Sequence, residues 1–270
     1  MNTQIELKLL KEIEELRKEI NLLKGIDTNQ PPTYQYSKIK DTTLKALFNI
    51  TKKLDNSIFE EWFNSPIVID NAVESFLAAL ITKNQFLVES YNEEDLKVYY
   101  IIPLLNKIDF MLKDEGIRGF YELPMSYVTD KFILNGTCDF VVSEGLIDSK
   151  KPYFFIQEFK KHEEYNNPRP QLLAELITAV ELNSWKFIKG AYITGCNWHF
   201  VILERLALHQ YQYAISTQFR HYFKAVNLYR RLDRCALPPY KFIKSKKLDS
   251  RGLIFVLGFV PHPNLHAIFV

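Results

Sequence analysis

An α/β fold is expected of this chain: a mixed central sheet flanked by helices, preceded by a coiled-coil-like helix. Three features carry the expectation. From about residue 92 the apolar pattern switches between helical periodicity and short strand-like runs, in the order helix, three strands, helix, two strands, helix. With 20 Phe and 15 Tyr among 270 residues there is bulk enough for a sizeable core. The first residues differ from all that follow, repeating Leu and Ile at alternating spacings of four and three.

In residues 1–24, Leu9, Ile13, Leu16, Ile20 and Leu23 form that seam, with Glu, Lys and Arg filling the other faces. About three heptads are marginal for a lone helix, so pairing with a second copy to give a homodimer is expected ahead of folding back onto the chain. Residues 25–38 hold Gly25 and two prolines without periodicity and read as a linker. Residues 39–90 read as a helical segment, with helices over 41–55, 57–64 and 71–83. Asn71 is the expected N-cap of the last, and Val73, Phe76, Leu77 and Leu80 its apolar stripe.

Residues 91–270 make the main domain and its basic C-terminal extension. A helix is expected over 92–114, bent at Pro103. Strands follow over 119–129, 136–144 and 152–160, then a helix over 169–183 with Pro170 in its first turn. Two more strands, 190–195 and 199–204, precede an amphipathic helix over 217–234 and a last strand over 252–260.

Composition narrows the function. Only nine glycines are present, with neither a P-loop nor a dinucleotide fingerprint among them. Cys138, Cys196 and Cys235 are too scattered for a zinc knuckle or a disulfide framework, which fits a reducing, cytoplasmic setting. No apolar run is long enough to span a membrane, and the N-terminus is charged rather than signal-like. The net charge of +2 conceals an asymmetry. Between Arg220 and Arg251 stand ten Lys and Arg against two Asp, a local +8 that leaves −6 for the rest. Aromatics are interleaved with these cations, a composition suited to tracking a phosphate backbone, and Arg230, Arg231 and Lys244 are candidate contacts.

The segment "PYFFIQEFKK" (152–161) poses the chemical question, since an apolar strand there runs into Glu158, Phe159, Lys160 and Lys161. Strand residues alternate faces, so Glu158 and Lys160 share a side. Asp139 lies 19 residues earlier in "GTCDFVVS", another strand, and converges with Glu158 if the two strands pair as a hairpin. Two adjacent carboxylates repel, and a divalent cation relieves the repulsion. Mg²⁺ prefers a few carboxylate oxygens together with water and phosphate. Lys160 is placed to orient a water and offset developing charge.

These residues resemble the D…(D/E)-x-K signature of the PD-(D/E)XK nuclease superfamily, whose core is the restriction-endonuclease-like fold. The order of elements over roughly 92–205 is similar too, and within the superfamily it looks like the N-terminal nuclease domains of type I restriction subunits. Cys138 stands where the name of the motif has proline. The resemblance implies a metal-dependent hydrolase of nucleic acid, DNA in the first instance, using Mg²⁺ or Mn²⁺ held by Asp139, Glu158 and Glu94. It gives Glu94 (Glu93 as the neighbouring alternative) on the leading helix and Gln171 on the helix after E-x-K to the same site. Glu175 lies one turn beyond Gln171. Lys161, His162 and Arg169 read as phosphate contacts or plain surface. Cys196, Trp198 and His199 lack further ligands at metal spacing and read as core or strand-turn packing. The rival expectations are a nuclease-fold module that binds nucleic acid or scaffolds a complex without cleavage, and a structural protein joined to its partners by the coiled coil.

Overall fold

A nine-stranded mixed sheet frames the described residues, with order β1-β4-β5-β6-β7-β8-β2; β3 pairs with β4 and β9 with β7. The computed structural model describes residues 31–64, 70–88, 90–108, 110–160, 167–194, 197–217 and 219–220, together with Glu12, Leu16, Ile20 and Leu232. The strands are β1 (Thr33–Gln35), β2 (Asn49–Lys52), β3 (Ile117–Val128), β4 (Ile133–Glu144), β5 (Lys151–Lys160), β6 (Phe187–Thr194), β7 (Asn197–Ala207), β8 (Gln210–Ile215) and β9 (Phe219–Arg220). The helices are α1 (Asp41–Leu47), α2 (Glu60–Asn64), α3 (Asn71–Asn84), α4 (Glu93–Leu96), α5 (Ile102–Lys107) and α6 (Pro168–Asn183). A π-helical turn, Lys97–Ile101, joins α4 to α5. No helix among the described residues is long and apolar enough to cross a membrane.

Both faces of the sheet are covered, so its central strands read as continuous apolar runs rather than as alternation. On β7, Trp198, Phe200 and Ile202 enter one core, while Val201 and Leu203 enter the other. The first core is closed by Phe59, Trp62, Leu77, Leu96, Tyr100 and Leu104. The second is built on α6, where every residue from Leu172 to Val180 is buried. Asn167 caps α6, its side chain accepting the Arg169 N–H at 3.0 Å, and Pro168 occupies the first helical position, where no N–H is needed. Gly190 on β6 lets α6 approach closely, since a Cβ there would lie 3.1 Å from both Leu172 and Leu176.

The sheet curls around α6. The Tyr127 hydroxyl, at the far end of β3, shares a 3.1 Å hydrogen bond with His209 Nε2 in the turn before β8, five strands away in the sheet order. Phe48 and Phe132 pack on the same imidazole.

Several expectations are corrected. Thr33–Gln35, within the stretch read as a linker, pairs with β4, and Tyr36 beside it is fully buried with its hydroxyl donating to Thr178 Oγ1 at 2.9 Å. The helix expected over 41–55 stops at Leu47, and Asn49–Lys52 forms an edge strand along β8. β-Branched Ile50 and Thr51 suit that extended conformation. Asp70, not Asn71, caps α3, accepting the Val73 N–H at 2.7 Å. The helix expected over 92–114 ends at Lys107, and a separate 3-10 turn follows, closed by Gly116 at φ 67°. β8 was not expected at all. Phe219–Arg220 is a strand on β7 rather than the start of a helix. Of the heptad seam, only Leu16 and Ile20 are described; both are helical and exposed. Leu9, Ile13, Leu23 and the last expected strand, 252–260, lie outside the described residues.

Candidate active site

β4 and β5 pair antiparallel from Glu144↔Lys151 to Phe140↔Ile156, with a register shift at the Val142–Ser143 step. Asp139 and the Glu158-Phe159-Lys160 motif therefore stand at the same end of two adjacent strands. The side chains of residues 156–160 lie outside what is described, as do Lys161, His162, Cys196, Arg230, Arg231 and Lys244 entirely.

Regular geometry breaks at this end of the sheet. The β3–β4 ladder pairs Tyr121 with Phe140 and Leu123 with Cys138 but skips Glu122 and Asp139 between them. Glu122 adopts φ 51°, a left-handed conformation that costs a non-glycine residue about 1 kcal/mol. Cys138 packs in the α6-side core and Phe140 in the opposite one, although residues two apart on a regular strand share a face. The alternation of β4 thus slips at Asp139. On β5, the three steps from Gln157 to Lys160 match the two from Tyr192 to Thr194 on β6, a bulge inside the motif. Bulges of this kind concentrate next to active sites, where they re-aim a side chain.

Asp139 is half-buried and lines a small cleft with Lys97, Ile101, Ile102, Leu105, Tyr121, Phe140 and Ile193. Lys97 Nζ lies 3.1 Å from Glu122 Oε1. The Tyr121 ring sits 4.9 Å from that of Phe140; burial pushes its hydroxyl pKa up and the nearby Lys97 ammonium pulls it down. On the α6 side, Asp139 is close enough to act on Glu175. Burial first, and the Asp139 charge second, hold the Glu175 carboxyl well above the usual carboxylate range. Gln171 Nε2 donates to Glu175 Oε1 at 3.2 Å, whereas the fully buried Oε2 has no N–H or O–H partner. Burial, then Glu175 and Asp139, push the Cys138 thiol up as well, so it is a packing residue rather than a nucleophile.

The leading helix approaches β5 through α4. Asn92 caps it, accepting the Asp95 N–H at 2.8 Å, and Glu93, Glu94 and Asp95 complement the N-terminal dipole. Glu94 is exposed, three residues before Lys97, which lines the cleft together with Ile101. Glu94 itself is not among the residues that line the cleft. Arg169 is engaged by Asp41 in an ion pair. Trp198 and His199 are buried as expected, the imidazole stacked 4.5 Å from Tyr192.

Lys97 and Tyr121 line the cleft and Glu122 pairs with Lys97; none of the three was singled out from the sequence. The one available signal was Lys97 following Glu94 by three residues. Among the described residues no group of three or more His, Cys, Asp or Glu is placed to hold a metal ion. No protein-family model matches the chain, and no curated protein matches it.

Proposed function

We propose that this chain is a metal-dependent nuclease of the PD-(D/E)XK type, with a restriction-endonuclease-like core, hydrolysing phosphodiester bonds of nucleic acid and of DNA in particular. The observation that carries the reading is the antiparallel β4–β5 pair, which brings Asp139 and the Glu158-Phe159-Lys160 motif to one end of the sheet, beside a cleft where strand geometry breaks. In a regular ladder, position 139 would stand opposite 157, and 158 would alternate to the other face. The bulge between Gln157 and Lys160 lifts that constraint.

The donors suit a hard cation. Asp139 supplies a carboxylate crowded enough to act on Glu175, a repulsion that a cation relieves. Glu158 and Glu94 would share the ion, with water and phosphate oxygens completing the shell. Bound there, Mg²⁺ or Mn²⁺ supplies charge neutralisation at the phosphate and a more acidic water. Lys160 orients the attacking water and offsets charge on the phosphate. Gln171, bonded to Glu175, holds the α6 side of the site. The basic segment around Arg230, Arg231 and Lys244 holds the backbone, and the N-terminal seam pairs two copies for cutting two strands.

The test is plasmid DNA incubated with Mg²⁺ or Mn²⁺, with and without chelator. Cleavage is expected only with metal, and it is lost in Glu158→Ala and Lys160→Ala variants whose circular dichroism is unchanged. Binding without cleavage in either metal replaces this reading with the inactive nucleic-acid-binding module. Neither binding nor cleavage removes both.

A further inference from the structure

Leu16 and Ile20 are helical and four residues apart, hence on one face, and they are 53% and 48% exposed. Glu12, one turn before Leu16, is exposed on the same row. Folding back onto the main domain would have buried these two apolar side chains, so their cover comes from elsewhere. The sequence around them says what fits. With Leu9, Leu16 and Leu23 at heptad position d, Ile13 and Ile20 fall at a. Ile at a with Leu at d favours two parallel strands over three or four. Charge flanks the seam: Glu12 and Glu19 fall at g, Arg17 and Lys24 at e. In a parallel, in-register pair each g residue faces the e residue five positions further along the other strand. Glu12 then meets the partner's Arg17, and Glu19 the partner's Lys24. In an antiparallel pair g faces g and e faces e, which sets Glu against Glu and cation against cation.

We propose that residues 9–24 form a parallel, in-register, two-stranded coiled coil with a second copy of this chain, its orientation set by Glu12, Arg17, Glu19 and Lys24. Strand number, orientation and register come from the seam itself; the inference rests on the nuclease reading only for what the two sites then do together. Parallel strands end side by side at Lys24, so both main domains leave the coil from one end. Thr33, where β1 begins, follows Lys24 by nine residues, a reach of at most about 30 Å. A nucleic acid held by one domain is therefore at high effective concentration for the other. Antiparallel strands would instead send the two domains to opposite ends of a coil about 25 Å long.

The full chain, free of nucleic acid, is followed by sedimentation equilibrium over a concentration series. The wild type is expected to reach the mass of two chains and no more. Leu16→Glu combined with Ile20→Glu is expected to raise the dissociation constant at least about a hundredfold. Residues 1–24 hold no aromatic side chain, so near-ultraviolet circular dichroism reads the rest of the chain and is expected to stay unchanged in that variant. A wild type that keeps the mass of one chain, a mass above two chains, or a near-ultraviolet change that shows the seam packed on its own domain overturns the proposal. Orientation is tested by inverting all four charges, with Glu12→Lys, Arg17→Glu, Glu19→Lys and Lys24→Glu in one chain. The inverted chain is expected to pair with itself as the wild type does. When the two are mixed under different fluorescent labels, homodimers are expected to exceed mixed dimers by about tenfold, because every g–e contact of a parallel mixed dimer is repulsive. Antiparallel strands predict the reverse, since g then meets g of opposite charge. Mixed dimers at or above the random share, or an inverted chain that does not pair with itself, overturn the proposal. A parallel dimer that cuts nothing with Mg²⁺ or Mn²⁺ leaves this inference standing and removes the nuclease reading. Metal-dependent cleavage by a wild type that keeps the mass of one chain does the opposite.

Discussion

The two faces of the sheet are built by different rules. On one, α6 lies inside the curl of the strands, buried from Leu172 to Val180, capped at its start by Asn167 and seated on Gly190. Glu175 apart, whose buried Oε2 lacks an N–H or O–H partner, the local choices there agree with the packing. On the other, around Asp139, four departures from regular geometry meet: the left-handed Glu122, the slip of β4, the bulge of β5 and the π-helical turn of Lys97–Ile101. Strain and irregularity persist only where the surroundings enforce them, and they gather where chemistry needs groups that regular ladders do not present. The enclosed face keeps the molecule folded; the irregular one carries the proposed site.

That contrast breaks most visibly at Asp139. Asp139→Asn is expected to reduce cleavage about a thousandfold, some 4 kcal/mol of transition-state stabilisation, while the melting temperature holds or rises. A fall in stability of similar size would make Asp139 a structural residue and dissolve the distinction. The reverse holds across the sheet. Leu176→Ala, fully buried on α6, is expected to cost about 3 kcal/mol in urea unfolding and to leave cleavage per folded molecule unchanged. Gly190→Val crowds the same contact and is expected to cost about 2 kcal/mol, read as a lower urea midpoint at constant slope.

The smallest effect lies at the border between the faces. The Glu175 carboxyl is raised in the fold relative to the unfolded chain, so its contribution to stability is complete at acid pH and is lost as pH climbs through the raised value. Glu175→Gln mimics the protonated form and removes that dependence. In metal-free protein the variant should melt about 2 °C or more above wild type on the alkaline side, the gap closing toward acid pH. A constant gap at all pH values would mean that the Glu175 carboxyl is not raised in the fold.

Much of the frame was legible from residue pattern. The three strands before α6, the helix itself and the two strands after it lie where apolar periodicity put them, because burial on two faces leaves long apolar runs such as "PYFFI" and "HFVIL". The edges were not legible. β1 and β2 are three and four residues long and exist only because β4 and β8 offer them partners, which no local pattern reports. β8 did carry a signal, an alternation that puts Tyr211, Tyr213 and Ile215 on the α6 side, but the run is only six residues long. At the site, Asp139, Glu94 and Gln171 were visible as residue types at telling positions. The kink at Glu122 was not, since a glutamate with positive φ looks like any other glutamate in a sequence. Lys97 went unnoticed for a related reason: its partner is 25 residues away, and only the fold brings them together.

The wide turn has a consequence for how this protein tolerates change in length. The Ile102 N–H reaches back five residues to the Lys97 carbonyl, one more than an α-helix would span. A chain lacking one residue between those two positions closes the same hydrogen bond as an ordinary α-turn. Glu94 and Lys97 before it, and Leu104 and Leu105 after it, then keep their bearings. Elsewhere along this helix the loss of a residue rotates everything beyond it by about 100°. The surplus residue between Lys97 and Ile102 is therefore the place where a one-residue deletion can pass without turning Lys97 away from the cleft.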